Sequence, residues 1–309
     1  MRRICDLCGS SDAIVTSSSG KAMCEGCLER FIIRRSFAEL EASISDGDLV
    51  VVALSGGKDS SLALWCVYKY RELSSVEFSL KAVTVDEGSP YRRPAIEAAR
   101  SLCRELGVEH VLVNMKDYQG ISVSDLLHLR RLPNRRRSIC TYCGVLRRQT
   151  LNMVARELGA DKVITGHNLD DVIQTFFMNM VRGDVNALAR FLSRASPIRE
   201  LIPRVRPLLM IREKEIAAFV IARGITAHVG KCPMARGMRI RVRRALDELE
   251  VSSRGFKSKT LPNVIAILDK ARFNLSKRLS LYICEKCGEP SAEKICKACQ
   301  LKMELKDLA

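Results

Sequence analysis

The sequence predicts an α/β fold in which a parallel sheet is flanked by helices and a four-cysteine ribbon stands at each end of the chain. Apolar runs typical of buried strands alternate with segments of helical spacing, and this order produces parallel strands with right-handed crossovers. Eight cysteines form paired C-x-x-C motifs, four near each terminus. We therefore expect an N-terminal zinc ribbon at 1–30, a catalytic domain at 31–280 and a C-terminal zinc ribbon at 281–309.

Composition favours a globular protein with a polyanionic partner. The chain has 309 residues, of which 47% are hydrophobic, and 51 Lys plus Arg give it a net charge of +16. Such a charge points first to nucleic acid. No stretch approaches the ~20 apolar residues that span a bilayer. The N-terminus lacks the apolar segment of a signal peptide, so we expect a cytoplasmic protein without a membrane partner.

The paired cysteines are interpreted as metal ligands. In a reducing compartment thiols stay free, and four thiolates are the set that a tetrahedral structural zinc requires. Because four thiolates leave no open coordination position, the two Zn²⁺ sites are expected to be structural or RNA-contacting rather than catalytic. The ligands are Cys5, Cys8, Cys24 and Cys27 at one end, and Cys284, Cys287, Cys296 and Cys299 at the other.

The strands and helices follow from the spacing of apolar residues. Cys66 and Cys103 fall on apolar helix faces and are interpreted as core residues. The segment from Arg182 to Pro207 is rich in arginine and proline, which suggests a mobile cover or a loop that faces a nucleic acid. Strands are predicted at 49–54, 79–85, 110–113 and 162–165, and helices at 31–44, from about 61, at 92–106 and at 211–224.

The turn between the first strand and its helix has the composition of a phosphate cradle. It reads Ser55-Gly56-Gly57-Lys58-Asp59-Ser60. Unpaired N–H groups at a helix N-terminus favour an anion, the glycines allow close approach, and Lys58 adds charge. The spacing of the Walker P-loop is absent. Ligands of parallel sheets bind at the carboxyl ends of the strands, so this turn, Asp86 and the loop at Gly166 are expected around one crevice.

Three cysteines remain after the ribbons and the core are assigned, namely Cys140, Cys143 and Cys232. They could hold a [4Fe–4S] cluster whose fourth iron has no protein ligand. They could instead form a persulfide relay, in which one thiol carries sulfur and another resolves it. A third zinc completed by His228 is a further alternative.

Two arginine-rich stretches, at 130–137 and 236–244, are interpreted as phosphate contacts. Solvated surface is the default interpretation of a charge run, but these runs lie next to the three unassigned cysteines. The expected nucleic-acid-binding residues are Arg135, Arg136, Arg137, Arg147, Arg148, Arg241, Arg243 and Arg244.

The Ser55–Ser60 turn resembles the SGGxDS motif of the PP-loop ATP pyrophosphatases. With Cys140-x-x-Cys143-Gly-Val-Leu-Arg-Arg148, Gly166-His-Asn-Leu-Asp-Asp171 and Cys232-Pro233, the chain resembles tRNA 2-thiolation enzymes of the TtuA type and their wobble-uridine relatives over nearly its whole length. The resemblance implies a Rossmann-like core, an oxygen-sensitive [4Fe–4S] cluster on the three cysteines, and a homodimer. It also implies that sulfur arrives on the C-terminal thiocarboxylate of a ubiquitin-like carrier protein.

The resemblance further implies the chemistry of the site. ATP would bind at Ala53, Ser55, Gly56, Gly57, Lys58, Asp59, Ser60, Asp86, Gly166 and Asp171, and Asp59, Asp86 and Asp171 would hold Mg²⁺ or polar groups of the nucleotide. The catalytic residues would be Lys58, Asp59, Asp171 and the three cysteines. Asp170 is expected to cap its helix, a role also open to Asp171.

The implied reaction is adenylation of a uridine C2 oxygen followed by replacement with sulfur. The preferred target is uridine 54, with the wobble uridine 34 as the alternative. Met234-Ala235 after Cys232-Pro233 departs from the expected pattern and bears on the target nucleotide. Two other functions remain open: a small-molecule amidotransferase or synthetase, and a zinc-ribbon RNA binder without catalytic activity.

Overall fold

Four apolar runs of the sequence and one two-residue strand form a parallel sheet in the computed structural model. The structure describes residues 3–9, 12–129, 138–184, 202–230, 232–234, 238–275, 282–291 and 293–306. The strands are β1 (Ala13–Thr16), β2 (Ala22–Cys24), β3 (Leu49–Ala53), β4 (Ser79–Asp86), β5 (Glu109–Asn114), β6 (Lys162–Ile164), β7 (Arg204–Val205), β8 (Tyr282–Ile283) and β9 (Pro290–Ser291).

Helices connect the strands of the central sheet and cover both of its faces. They are α1 (Glu25–Glu41), α2 (Lys58–Leu73), α3 (Arg93–Leu106), α4 (Met115–Gln119), α5 (Val123–His128), α6 (Ile139–Glu157), α7 (Leu169–Val181), α8 (Glu213–Arg223), α9 (Met238–Ser252), α10 (Phe256–Leu275) and α11 (Lys297–Lys306).

The central sheet has the strand order β5-β4-β3-β6-β7, and every neighbouring pair is parallel. Strand β3 therefore lies in the middle of the sheet. The chain adds β4 and β5 on one side of β3 and then crosses back to add β6 and β7 on the other side. A ligand of such a sheet binds where the strand order reverses, at the carboxyl ends of the strands. The residues that follow β3 and β6 are the Ser55 turn and the Gly166 loop, so the order brings both to one edge.

The two faces of the sheet belong to different parts of the core. Val50 and Val52 face a cluster with helices α1, α2 and α8, and this cluster includes Cys5 of the N-terminal ribbon. Val51, between them, faces a cluster with α6 and with Cys284 of the C-terminal ribbon. The alternation follows from the two-residue period of a strand. The ribbons therefore pack on opposite faces of one sheet.

The predicted strands are confirmed, and the observed bounds differ by one residue at most. Cys66 and Cys103 are buried in the core, as expected, and burial raises the pKa of each thiol to about 12. Helix α8 ends at Gly224, whose backbone is left-handed with φ of 66°.

One expectation was wrong, and one segment contains a strand that was not expected. The helix predicted from Phe31 begins at Glu25, so that Cys27 lies in its first turn and the expected ribbon boundary at residue 30 falls inside α1. The segment predicted as a cover contains an edge strand, β7, which pairs with β6. Val205 is buried because β7 lies beside β6. A strand of two residues is too short to show a periodic pattern in the sequence.

Several expected features lie outside the described residues. These are Arg135, Arg136 and Arg137 of the first arginine stretch, most of the predicted cover, and Arg236. Among the residues that the structure describes, no helix is both long enough and apolar enough to cross a bilayer.

Candidate functional site

A cleft of about 540 Å³ opens at the carboxyl edge of the sheet. It is bounded by the ends of β3, β4 and β6, by the turn after β3, and by the first half of α6. Of the residues expected at the site, its lining includes Ala53, Ser55, Asp59, Ser60, Cys140, Arg147, Arg148, Gly166 and Asp171. Part of the expected nucleotide site and Cys140 therefore share one space, whereas the lining does not include Gly56, Gly57, Lys58, Asp86, Cys143 or Cys232.

The Ser55 turn is held in a conformation that only glycine permits. Gly56 has φ of 75°, and a Cβ there would lie 1.8 Å from the Ala95 carbonyl oxygen. The Ser60 hydroxyl donates to the Gly57 carbonyl at 2.9 Å and accepts from the Ser55 N–H at 3.0 Å. Helix α2 begins without a side-chain cap, so its first N–H groups are left for a ligand.

The Gly166 loop packs directly on this turn. A Cβ on Gly166 would lie 2.7 Å from the Ser60 nitrogen. The Asn168 amide donates to Asp59 Oδ1 at 3.0 Å. Substituting Gly166 would therefore separate two loops that are distant in the sequence, since Asn168 and Asp59 are 109 residues apart.

Asp171 rather than Asp170 takes part in capping α7. The Asp171 N–H donates to Asn168 Oδ1 at 3.0 Å, and the Asp171 carboxylate accepts from the Asn168 N–H at 3.4 Å. The Asp170 carboxylate instead accepts from the Glu213 N–H at 2.7 Å and pairs with Lys257 at 2.6 Å. The expectation that Asp170 caps its own helix was wrong, because a buried lysine draws it toward α8 and α10.

Asp171 also lies beside Asp59, and this proximity changes its acidity. Burial and then the negative charge of Asp59 raise the pKa of Asp171 to about 6, while Arg239, 3.7 Å away, opposes the shift. Two carboxylates in one partly desolvated place suit a divalent cation, so these two residues fit Mg²⁺. The third expected ligand, Asp86, does not line the cleft. Its carboxylate accepts from the Gly88 N–H at 2.8 Å.

The Lys58 side chain lies outside the cleft. Its Nζ lies 2.8 Å from Asp59 Oδ2 and 3.0 Å from Glu213 Oε1. The Lys58 side chain lines a neighbouring cavity of about 400 Å³ and does not line the 540 Å³ cleft. The sequence indicated Lys58 but gave no sign of its partner Glu213, which is 155 residues away.

The cleft carries more positive charge than the sequence analysis assigned to it. Arg92, Arg204 and Arg239 also line it. Burial, and then the neighbouring charge of Arg148, lowers the pKa of Arg204 to about 10. Neither Arg148 nor Arg204 forms an ion pair with a carboxylate within the described part of the chain. Unneutralised guanidinium groups that repel one another are a suitable environment for a polyphosphate.

His167 is a further residue that the sequence analysis missed. It lines the cleft, and its Nδ1 lies 3.0 Å from Thr165 Oγ1. Burial and the surrounding arginines lower the pKa of His167 to about 4, so the imidazole is neutral at pH 7. Its position in the Gly166 loop, directly after a strand, was the available signal.

Of the three unassigned cysteines, Cys140 lines the cleft, whereas Cys143 and Cys232 do not. The Cys140 thiol donates to the Met234 carbonyl at 2.9 Å, which ties α6 to the Cys232-Pro233 segment. Burial raises the pKa of Cys143; Arg147 opposes the shift, and the charges of Cys140 and Cys232 add to it. Mutual influence of this kind requires proximity, so the three thiols fit a shared cluster.

A single metal ion is a poorer fit to these three thiols. Within the described residues, groups of ligand atoms close enough for one ion occur only in the two ribbons. Thiolates of an iron–sulfur cluster bind different irons and so stand further apart. The His228 backbone N–H supports the turn by donating to the Gly56 carbonyl at 2.7 Å. Among the described residues, the three thiols and the His228 ring form no group compact enough for one ion, so the geometry does not favour a third zinc completed by His228.

The two ribbons each offer a compact set of four thiols. In each set the four sulfur atoms lie within 4.8 Å of one another. The Gln149 amide donates to Cys287 Sγ at 3.3 Å and to Cys296 Sγ at 3.5 Å. Such donors stabilise thiolates, and four thiolates at this separation fit a tetrahedral zinc.

Comparison with known proteins agrees with this site. The model of the PP-loop domain family matches residues 30–232. The tRNA 2-thiolation protein NcsA of Haloferax volcanii is 31% identical over 316 residues, covering 96% of this chain and 97% of that protein. The tRNA-5-methyluridine(54) 2-sulfurtransferase of Thermus thermophilus is 31% identical over 306 residues, covering 96% and 90%.

A solved structure extends the likeness to the whole fold. It is that of the U34-tRNA thiolase NcsA from Methanococcus maripaludis with its [4Fe-4S] cluster, with a TM-score of 0.81 and 29% identity. The match covers 98% of this chain and 96% of that one. On fold, length and motifs alike, the chain belongs to the TtuA/NcsA-type tRNA 2-thiolation enzymes of the PP-loop superfamily.

Proposed function

We propose that this protein is an ATP-dependent tRNA-uridine 2-sulfurtransferase. The observation that carries the proposal is that one arginine-lined cleft contains both the Ser55 turn and Cys140. Activation of a base and replacement of its oxygen by sulfur must occur at the same carbon, so both groups have to reach one nucleotide. A small-molecule synthetase needs the turn but neither the cysteines nor the arginines, and an RNA binder needs no turn.

In the first step the turn binds ATP. The free N–H groups at the start of α2 would hold phosphate oxygens, and Asp59 with Asp171 would hold Mg²⁺. The uracil C2 oxygen attacks the α-phosphorus and pyrophosphate leaves, while Lys58 and the backbone amides offset the developing charge. Neutral His167 lies at the cleft wall and can donate one hydrogen bond without adding charge.

In the second step sulfur replaces the adenylated oxygen, which leaves with AMP. Cys140, Cys143 and Cys232 would hold a [4Fe–4S] cluster, which would supply an iron without a protein ligand for sulfide to bind. Arg147, whose charge acts on Cys143, would favour anionic sulfur near these cysteines. We propose that the sulfur comes from a ubiquitin-like carrier with a C-terminal thiocarboxylate.

The substrate is bound mainly through its phosphates. Arg147 and Arg148 line the cleft, and Arg241 and Arg244 are exposed on α9. To reach Cys140 and the turn, the target base has to leave its stack. We further propose a cytoplasmic homodimer with one structural zinc in each ribbon.

The target nucleotide has two candidates. Uridine 54 is retained as the first, with 2-thiolation of 5-methyluridine as the reaction, and the similarity to the Thermus thermophilus enzyme supports it. The wobble uridine 34 is the second, because the similar solved structure is that of a U34-tRNA thiolase.

The test is a thiolation assay on two tRNA transcripts, each lacking one of the two uridines. Protein loaded anaerobically with iron and sulfide is incubated with ATP, Mg²⁺ and a sulfide donor, and AMP, pyrophosphate and 2-thiouridine are measured. We expect AMP and 2-thiouridine in equal amounts, and loss of both in Lys58→Ala. Thiolation of the transcript without uridine 54 would assign uridine 34, and AMP formation without tRNA would contradict the proposal.

A further inference from the structure

The lysine of the nucleotide turn is held by two carboxylates at once. Lys58 Nζ contacts Asp59 in its own turn and Glu213 at the start of α8. Burial alone would lower the pKa of Lys58. The negative charges of Asp59 and Glu213 outweigh burial and raise this pKa above its ordinary value. A nucleotide that takes this ammonium group must therefore replace contacts that already exist.

Glu213 is fixed in place by the surrounding structure. Its N–H donates to Asp170 Oδ2 at 2.7 Å, and its side chain is 24% exposed. Burial alone would raise the pKa of Glu213. Arg243 and Lys58 outweigh burial and lower this pKa below its usual range, so the carboxyl group is ionised. A carboxylate in this position requires a cation, because an unpaired charge with little access to water is costly.

Arg243 is the second cation on Glu213. Its Nη2 contacts Glu213 Oε2, while Lys58 contacts the other oxygen, Oε1. Arg239, one turn earlier on α9, faces Asp171 at 3.7 Å. These two arginines therefore point toward carboxylates of the nucleotide site. Arg241 and Arg244 point elsewhere and are exposed.

We infer that Glu213 and Arg243 are positioning residues that control how readily Lys58 is released to the triphosphate. When ATP takes Lys58, Glu213 loses one of its two cations and Arg243 neutralises it alone. Without Arg243, Glu213 would have Lys58 as its only cation and would compete with ATP for it. The inference rests on the proposed function, and it moves Arg243 from the expected tRNA contacts to the nucleotide site.

The inference predicts a specific dependence between two substitutions. Binding of a non-hydrolysable ATP analogue with Mg²⁺ is measured by calorimetry without tRNA, using the full chain loaded with its metals. We expect Arg243→Ala to raise Kd about tenfold, because loss of one partner leaves a partly buried charge competing for Lys58. Glu213→Gln alone should leave Kd unchanged or lower it. In the double variant Kd should return to within about twofold of Glu213→Gln, since no competing carboxylate remains.

A merely structural role for Arg243 would give a different result, because Glu213→Gln would not then restore binding. The matched control is Arg100→Ala, which removes an exposed arginine 2.9 Å from Glu97 on α3 and should leave Kd unchanged. Equal Kd values for wild type and Arg243→Ala, or weaker binding by Glu213→Gln, would overturn the inference and leave the proposed function intact. Absence of analogue binding by the wild type would overturn both.

Discussion

At the scale of single residues, the Asp171 carboxyl lies where ionisation is unfavourable. It is an acid whose pKa in the folded protein, about 6, is above its ordinary value of 3.8, because of burial and the nearby charge of Asp59. The protonated form is therefore favoured by folding. The stability that it contributes is present below pH 3.8 and is lost as the pH rises through about 6. Above that pH, the unneutralised pair lowers the free energy of unfolding.

Asp171→Asn should therefore stabilise the ligand-free protein increasingly as the pH rises from 4 to 8, by roughly 1 kcal/mol after allowing for its partial exposure. Asparagine can still accept the Asn168 N–H, so the cap is retained. The same variant should lose AMP formation, because one of the two proposed Mg²⁺ ligands is gone. Urea unfolding at several pH values measures the effect, with exposed Asp117→Asn as the control. A stability difference that does not change with pH would contradict this account.

At the scale of elements, the arginines of α9 differ in their exposure and in their contacts. Arg241 and Arg244 are exposed, whereas Arg243 contacts Glu213. The sequence indicated a basic stretch here but not this division. A run of charges gives no information on which side chains face the protein when the facing carboxylates come from distant segments.

Replacing both Arg241 and Arg244 by alanine should weaken tRNA binding about tenfold and reduce the salt dependence of log Kd by about 2 in slope, as expected for two lost phosphate contacts. ATP affinity should not change. Filter binding across a salt series measures this, and Arg100→Ala/Arg104→Ala, with two exposed arginines on α3, is the matched control. An unchanged salt slope would remove α9 from the tRNA interface.

Helix α6 links the cysteine motif to the C-terminal ribbon. Cys140 and Cys143 lie in its first turns, and Gln149 further along donates to two ribbon thiols. A ribbon without metal would therefore disturb the helix that presents the cysteines.

Cys284→Ser should lower bound zinc from two ions per chain to one and reduce the free energy of unfolding by roughly 3 kcal/mol or more. Cys5→Ser should do the same at the other ribbon. Zinc analysis of anaerobically purified protein and thermal unfolding measure both effects. The control is Cys66→Ala, a buried thiol that belongs to neither four-cysteine set, which should cost stability and leave zinc at two. Zinc near zero in the wild type would contradict the assignment.

At the scale of the whole molecule, strand alternation predicted most of the architecture. The apolar runs at β3, β4, β5 and β6 are long enough to show a pattern, and their order with the intervening helices indicated a parallel sheet. Strand β7 has two residues and shows no pattern. The composition of the Ser55 turn indicated a phosphate site. The contacts of Glu213, Arg204 and His167 were not predictable, because they depend on distant elements meeting.

The last prediction concerns how the assembled site delivers sulfur. A persulfide relay needs one accessible thiolate and one resolving thiol, so it should work in air, need no iron, and tolerate loss of one of the three cysteines. A cluster needs all three ligands together. Cys140 and Cys143 lie on one helix, and the hydrogen bond from Cys140 to the Met234 carbonyl joins that helix to the Cys232-Pro233 segment; this arrangement supports the cluster.

Serine at any one of these positions should therefore abolish thiolation while ATP-analogue binding is retained, and should remove the visible absorbance that anaerobic reconstitution with iron and sulfide gives the wild type. Cys103→Ala is the matched control, because that thiol is buried in the core away from the cleft. Exposure of the reconstituted wild type to air should remove absorbance and activity in parallel. Full thiolation by iron-free protein would instead establish the relay, and one cysteine variant that keeps its activity would show which thiol the relay does not use.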